Sequence, residues 1–195
     1  MAAIVVGFQG IAGSFSEGAA IELLRRAGVD RYRLEPCVTS AEVVRRLQDE
    51  RIERGVLALR NVVGGEVRES VDAMRGAQLR VVIRASLPIV HCLYARVACD
   101  PSTIVAVHSH EQALRQCRDN LSVLCPHAAR VAAEDTALAA RDLADGRYAD
   151  GSAVVCSRGA GERFGLHLLR EGIQDRADNL TEFALLALSG TDQRM

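Results

Sequence analysis

Short apolar runs rich in β-branched residues alternate with segments of helical spacing along most of this chain. The first run, "AAIVVGF", is followed by a glycine loop, and "SFSEGAAIELLRRAG" then repeats apolar residues at intervals of three and four, as an amphipathic helix does. The same order returns in "YRLEPCV" and "SAEVVRRLQDE", and again in "RGVLALRN" and "EVRESVDAMRG". Strands that alternate with helices in this way predict an α/β fold with a mostly parallel sheet.

The alternation breaks between about residues 80 and 95, where two strand-like runs flank Pro88, and it restarts with "STIVAVHSH". A final apolar run, "ALLAL", lies far from this break in sequence. This break and the distant last strand predict two α/β lobes with a cleft between them. Open α/β sheets bind ligands beyond the carboxyl ends of their strands, so we expect the ligand in this cleft. The predicted boundaries are residues 1–80 with 176–195 for lobe 1 and residues 81–175 for lobe 2.

Composition excludes several classes of protein and of site. Hydrophobic residues make up 49% of the 195 residues and the net charge is −1, which is typical of a soluble globular protein and not of a nucleic-acid binder. All 24 basic residues are Arg, so a Schiff-base lysine is excluded. The six cysteines have no zinc-site spacing, which predicts reduced, mostly buried thiols and no metal. The first apolar run is too short for a signal peptide or a membrane span, so we expect a cytoplasmic protein with no membrane partner.

Six segments, in order along nearly the whole chain, resemble the prephenate and arogenate dehydratases. The glycine loop "FQGIAGSFSEGAA" is similar to their G-x-x-G-[ST]-[FY]-S-E, and "GVLALRNVVGGEV" to their G-V-[LV]-P-[IV]-E-N-S-x-x-G-x-V. The segments "LPIVHCL", "VHSHEQALRQCRDNL" and "DTALAA" match further motifs of the family. The last segment, "GLHLLREGIQDRADNLTEF", is similar to a motif that ends in N-x-T-R-F.

The resemblance implies a two-lobed fold like that of type II periplasmic binding proteins, with the cleft between the lobes. It implies a lyase that takes a small carboxylic acid with a hydroxylated cyclohexadienyl ring, removes water and carbon dioxide together, and leaves an aromatic ring as in phenylalanine biosynthesis. We expect no cofactor, and we expect the protein to form a homodimer. Most bacterial and plant members continue into an ACT domain that binds phenylalanine, whereas this chain stops at Met195, so we expect neither that domain nor feedback inhibition through it.

The resemblance also points to the site residues. Thr181 matches the essential hydroxyl of the family, and Asn61 is predicted to orient a substrate oxygen, so these two are the predicted catalytic residues. The predicted substrate-binding residues are Ser14, Ser16, Arg60, Ser109, His110, Thr136, Glu182 and Phe183.

Two motifs depart from the family by charge reversals of opposite sign. The family has Thr-Arg-Phe where this chain has Thr181-Glu182-Phe183, and Glu-Asn-Ser where it has Arg60-Asn61-Val62. On one interpretation Arg60 and Glu182 form a pair of reversed polarity in which Arg60 takes over the substrate carboxylate. The alternative is an exposed charge swap worth about 0–1 kcal/mol.

Three functions remain open at this level. The first is a dehydratase acting on prephenate, arogenate or a related ring acid, in primary or specialised metabolism. The second is a redirected relative, either a non-aromatising prephenate decarboxylase, for which Thr181 should be dispensable, or a dehydratase-like enzyme of a tropone pathway. The third is a catalytically inactive paralogue that only binds a ligand, since fold does not decide chemistry.

Overall fold

The computed structural model of the protein describes residues 3–190. Within this range strands and helices alternate as the sequence pattern predicts, so the α/β class is confirmed. The elements, in chain order, are β1 (Ile4–Gln9), α1 (Phe15–Arg26), β2 (Tyr32–Cys37), α2 (Ser40–Gln48), β3 (Arg54–Asn61), β4 (Gly65–Glu66), α3 (Arg68–Met74), β5 (Leu79–Pro88), β6 (Cys92–Ala95), a 3₁₀ helix (Pro101–Thr103), β7 (Ala106–His110), α4 (Glu111–Gln116), α5 (Arg118–Leu124), β8 (Ala129–Ala133), α6 (Thr136–Ala144), β9 (Ser152–Cys156), α7 (Arg158–Arg163), β10 (His167–Glu171) and β11 (Leu180–Leu188).

The chain divides into two compact units. Of the described residues, the first unit takes those up to Ile11, Ser16–Leu87 and those from Leu180 onward, and the second takes Ala12–Phe15 and Pro88–Asn179. The chain thus changes unit after Leu87 and after Asn179, whereas the sequence pattern placed these changes after residues 80 and 175. The later positions follow from the strands, because β5 continues to the end of the first sheet and β11 begins directly after Asn179.

The first unit is built on a six-stranded sheet with the order β2-β1-β3-β11-β5, and β4 pairs with β3 outside this path. The strand β1 runs parallel to β2 and β3, but β11 runs antiparallel to β3. The sheet is therefore mixed, not mostly parallel as predicted. The sheet is mixed because β11, from the other end of the chain, lies between β3 and β5 and runs antiparallel to β3.

Helices α2 and α3 cover one face of this sheet. The apolar stripe of α2 packs on alternate residues of β3 and β11, since alternate residues of a strand face the same side. The buried members of this cluster are Cys37, Val43, Val44, Leu47, Ile52, Leu57, Ala184 and Leu186.

The second unit is built on a five-stranded sheet with the order β10-β6-β9-β7-β8. This sheet is mixed as well, with β7 parallel to β8 and β9 while β6 runs antiparallel to β9 and β10. Its main core cluster consists of Leu93, Ala95, Ile104, Val107, Ala113, Leu114, Cys117, Leu121, Cys125, Ala153, Val155 and Ile173.

Gly13, in the glycine loop, packs against the start of α7. Its φ is +88°, and a Cβ there would lie 2.7 Å from the backbone Cα of Ala160. The Ser157 hydroxyl donates to the Gly13 carbonyl and accepts from the Ala160 N–H. A glycine is required at this position by the close approach of two backbones.

Two further findings concern the predicted protein class. All six cysteines are free and all but Cys99 are buried, which confirms the prediction of mostly buried thiols. No helix within residues 3–190 is long and apolar enough to cross a membrane.

Gly161 provides a test of packing in the second unit. A Cβ at Gly161 would lie 2.2–2.5 Å from three atoms of the fully buried Tyr94 ring. We expect Gly161→Ala to lower the free energy of unfolding by about 1–3 kcal/mol, the usual cost of overpacking. The measurement is urea unfolding followed by circular dichroism.

The control is Gly18→Ala. Gly18 is exposed within α1 and has nothing within 4 Å of its Cβ position. Since Ala favours a helix interior over Gly, this variant should be as stable as the wild type or more stable by up to about 1 kcal/mol. Equal unfolding midpoints for the two variants would contradict the packing described for Tyr94.

Candidate active site

The two predicted catalytic residues, Asn61 and Thr181, lie side by side in the first unit. Asn61 ends β3, Thr181 is the second residue of β11, and the two are direct partners in the antiparallel register. The Asn61 Nδ2 atom lies 2.8 Å from the Thr181 Oγ1 atom, and each residue is only 6% exposed. Strand pairing therefore joins two polar residues that are 120 positions apart in sequence.

The turn after β3 fixes which end of the Asn61 amide faces Thr181. The backbone N–H groups of Val63 and Gly64 lie 3.0 and 2.7 Å from Asn61 Oδ1. Because a backbone N–H can only donate, the atom that both groups face must be the amide oxygen. The amide nitrogen is therefore the atom that donates to Thr181 Oγ1, and it also donates to the Leu180 carbonyl at 3.1 Å.

This arrangement decides what the Thr181 hydroxyl can do. A hydroxyl that accepts from Asn61 still carries its own proton, so it can donate a hydrogen bond to another group. A preorganised donor of this kind is what stabilises charge that develops on a departing oxygen. Both ends of the Asn61 amide bond to the protein itself, which favours Asn61 as a residue that positions Thr181 and not as one that contacts a substrate.

Glu182, one of the two positions with reversed charge, forms an ion pair with Arg84 on β5. Their closest atoms, Arg84 Nη1 and Glu182 Oε1, are 3.5 Å apart. Arg60 is the direct cross-strand partner of Glu182, but within residues 3–190 it forms no ion pair. The expected Arg60–Glu182 ion pair is therefore replaced by one from the other neighbouring strand. With side chains 54% and 33% exposed, the Arg84–Glu182 pair contributes about 0–1 kcal/mol.

Thr181 and Glu182 point to opposite faces of the sheet, because successive side chains of a strand alternate. The register shifts between Glu182 and Phe183, but the extra residue is on β3, so β11 keeps its alternation. Glu182 shares its face with Ala184 of the α2 cluster, whereas Thr181 shares its face with Phe183. Phe183 is 2% exposed, which favours packing for its ring. The substrate roles of Arg60, Glu182 and Phe183 stay predictions.

Three predicted binding residues of the second unit differ in exposure. Ser109 is fully buried, and its hydroxyl donates to the Val155 carbonyl at 2.6 Å, which favours a structural role within the sheet. His110 is exposed and caps α4, with Nδ1 accepting from the Gln112 N–H at 3.2 Å. Its other ring nitrogen, Nε2, therefore remains the donor side. Thr136 is half-buried at the first position of α6.

The two predicted serines lie where α1 begins. Ser14 directly precedes the helix and Ser16 is its second residue. They are 9% and 8% exposed, so neither is a freely solvated side chain. Their proposed contact with a substrate carboxylate stays a prediction.

The second unit contains a network of amide and imidazole side chains that was not predicted from the sequence. Gln116 Oε1 lies 2.8 Å from His91 Nε2 and 3.1 Å from Asn179 Nδ2. Three of the resembling segments contain these residues, "LPIVHCL", "VHSHEQALRQCRDNL" and the one ending in "DNLTEF". The motifs indicate that each segment matters, but only the folded chain shows that their side chains meet.

Comparison with known proteins assigns the whole chain to one family. The family model described as "Prephenate dehydratase" matches residues 6–190. Arogenate dehydratase 1 of Petunia hybrida is 34% identical over 190 residues, which cover 97% of this chain and 43% of that protein. The chain thus spans less than half the length of this curated relative.

Solved structures agree with this match. The prephenate dehydratase of Arthrobacter aurescens in complex with L-Phe has a TM-score of 0.85 and 27% identity, covering 98% of this chain and 62% of that one. GqqA, described as a novel type of quorum quenching acylase, has a TM-score of 0.81 and 26% identity, covering 98% and 66%. A nutrient-binding protein from Burkholderia cenocepacia bound to methionine, at a TM-score of 0.55, 10% identity and coverages of 95% and 84%, shows the shared periplasmic-binding-protein-like fold alone.

The buried histidine predicts a pH dependence of stability. Burial lowers the pKa of His91, against a smaller opposing effect of its hydrogen bond to Gln116. A folded pKa below the unfolded value, near 6.5, means that the unfolded chain binds more protons, so this stability is present above pH 6.5 and is lost as the pH falls below it. We expect the unfolding free energy of His91→Gln to fall less steeply on acidification than that of the wild type.

Urea unfolding at a series of pH values measures this difference. Burial also lowers the pKa of His108, so His108→Gln should remove a second share of the slope and leave the His91 share in place. The exposed His127, changed to Gln, is the control. Identical slopes for the wild type and His91→Gln would contradict the prediction.

Proposed function

Because this chain belongs to the prephenate dehydratase family, we propose that it is a lyase that dehydrates prephenate, arogenate or a closely related cyclohexadienyl acid. The plant relatives named arogenate dehydratases and the Arthrobacter prephenate dehydratase support this range of substrates. Whether the reaction serves phenylalanine biosynthesis or a specialised pathway belongs to the same proposal and depends on which acid is accepted.

The observation that carries the proposal is the hydrogen bond from Asn61 to Thr181. It leaves the Thr181 hydroxyl as a buried donor beside an amide that the turn after β3 holds in place. A donor held in place before the reaction costs no reorganisation when charge develops on the leaving oxygen.

The chemistry assigned to Thr181 is stabilisation of the leaving hydroxyl. The bond between the ring and its carboxyl carbon breaks, its electron pair moves into the ring, and the ring hydroxyl departs and takes a proton from the medium. Carbon dioxide, water and an aromatic product result. Thr181 donates a hydrogen bond to the departing oxygen and keeps its own proton, so it needs no base.

The same bond argues against an acylase that uses Thr181 as nucleophile. A nucleophilic hydroxyl requires an adjacent base that accepts its proton. Asn61 presents an N–H to Thr181, and an N–H cannot accept. The likeness to GqqA therefore supports the fold of this chain only. It does not support acyl transfer at Thr181.

Substrate anchoring by Arg60 is a separate proposal, because strand alternation places Arg60 and Glu182 on the opposite face of the sheet from Thr181. It requires the exposed Arg60 side chain to reach round the end of β3. A guanidinium offers a fork of donors to a carboxylate, and Arg84 is already paired with Glu182 while Arg60 forms no ion pair among the described residues. Arg60 precedes Asn61 directly, at the end of β3.

Changing Thr181 tests the dehydratase proposal. We expect Thr181→Val to lower kcat by about 10²–10³, which corresponds to about 2.7–4 kcal/mol for one lost donor. Thr181→Ser keeps a hydroxyl at the same place and should retain most of the turnover. The measurement is incubation with prephenate and with arogenate, followed by chromatography for phenylpyruvate, phenylalanine and non-aromatic keto acids.

Each other result favours a different function. Full turnover by Thr181→Val would leave Thr181 a structural role only. A non-aromatic keto acid as product would identify a decarboxylase, and no product from either acid would favour a ligand-binding paralogue. Unfolding of each variant by urea shows whether a loss of turnover comes from loss of the fold.

A comparison of two arginines tests the anchoring. If Arg60 binds the substrate carboxylate, Arg60→Gln should raise KM by about tenfold, about 1.4 kcal/mol, which is the order of a charge-assisted hydrogen bond. Arg84→Gln, which removes only the partner of Glu182, should leave KM near its wild-type value. Equal KM values in both variants would assign Arg60 and Glu182 to the sheet surface, as the alternation of side chains on β11 favours.

A further inference from the structure

His91, Gln116 and Asn179 form a hydrogen-bonded network around one acceptor. The Gln116 Oε1 atom accepts from Asn179 Nδ2, and its second lone pair faces His91 Nε2 at 2.8 Å. Because an amide oxygen cannot donate, this orientation of the Gln116 amide places the proton of the neutral imidazole on Nε2. The Nδ1 atom then carries a lone pair, and it is buried without a hydrogen-bond partner among residues 3–190.

Two of these residues, His91 and Asn179, also join two segments that are remote in sequence. The Ile89 N–H donates to the Asn179 carbonyl at 2.8 Å, and the Ile173 N–H donates to the His91 carbonyl at 2.9 Å. The His91 N–H in turn donates to Gln174 Oε1 at 3.0 Å. Backbone and side-chain hydrogen bonds therefore connect the chain before β6 to the chain before β11.

Asn179 connects this network to the proposed active site through the backbone. It is 2% exposed and stands two positions before Thr181. Its carbonyl and its side chain are both engaged, the first by Ile89 and the second by Gln116. The residue between them, Leu180, accepts from Asn61 Nδ2 and from the Val62 N–H.

We propose that His91 is a positioning residue for Thr181 and acts through Gln116 and Asn179. This inference rests on the proposed role of the Thr181 hydroxyl. Reacting groups must be held within a fraction of an ångström, and residues locked by packing and hydrogen bonds provide this precision. The Nε2–H of His91 holds Gln116 Oε1 where Asn179 can reach it, and Asn179 fixes the chain that enters β11.

Because Nδ1 makes no hydrogen bond within residues 3–190, a substitution can test the Nε2–H contact by itself. Only the Nε2 side of the imidazole takes part in the network, so a side chain that presents one N–H at the same reach should replace it. His91→Gln does this, whereas His91→Leu removes the donor and keeps an apolar side chain of similar bulk. The matched control is His108→Leu, which removes another partly buried histidine of the same unit, one stacked on Tyr148 at 3.8 Å between ring centroids.

The experiment combines steady-state kinetics on whichever acid is turned over with hydrogen–deuterium exchange of peptides covering residues 177–183. For His91→Leu we expect kcat to fall by about 10–100-fold, the effect of a small misplacement of a reacting group, with a smaller change in KM. Exchange at residues 179–182 should become faster. His91→Gln should recover most of the kcat and the slow exchange, and His108→Leu should resemble the wild type in both.

The proposal is overturned if His91→Leu matches His108→Leu in kcat and in exchange, or if His91→Gln is as impaired as His91→Leu. If the wild type turns over neither acid, the proposed function fails, and the exchange data decide the positioning by themselves. If His91→Leu does not fold, Asn179→Asp takes its place. It substitutes a carboxylate oxygen for the Nδ2 donor, so faster exchange at residues 180–182 supports the network and unchanged exchange overturns it.

Discussion

The antiparallel pairing of β3 with β11 is the interaction on which the first unit and its candidate site depend. It joins chain segments about 120 residues apart, so closing this loop costs conformational entropy that local contacts cannot offset. Burial of the apolar centre of β11, Phe183 to Ala187, at 0–2% exposure provides the compensation. The register that this burial selects also places Thr181 opposite Asn61. A slip by one residue would turn the Thr181 hydroxyl to the opposite face of the sheet and exchange the side chains that pack on the two faces of β11.

A polar side chain at the buried start of a strand needs a hydrogen-bond partner, and Asn61 is that partner for Thr181 at the start of β11. One amide group receives two N–H groups of the following turn, binds the Leu180 carbonyl and donates to the Thr181 hydroxyl. A buried amide that is satisfied on both sides is rigid, since any rotation would leave a polar atom without a partner. The turn after β3 thereby decides that Thr181 Oγ1 accepts from Asn61 and keeps its own proton available for donation.

The reversed charges at Arg60 and Glu182 are placed differently from the hydroxyl. They share a face with the α2 cluster, and Glu182 is paired by Arg84, a residue in no motif of the family that the sequence resembles. In the glycine loop, the backbone of Ala160 by itself accounts for the glycine at position 13. Other motif residues hold the chain in place, as the buried Ser109 hydroxyl does by donating to the Val155 carbonyl.

The sequence by itself determined the α/β class, the alternation of strands and helices, and the family, and it indicated Thr181 and Asn61 as the predicted catalytic residues. These depend on local periodicity and on motif residues, which are properties of short segments. Only the tertiary structure decided that β11 inserts antiparallel between β3 and β5, that Arg84 and not Arg60 pairs with Glu182, and that His91, Gln116 and Asn179 meet. Each of these depends on strand order and register, and contacts between remote segments are fixed by the burial of the whole sheet and not by the residues that make them.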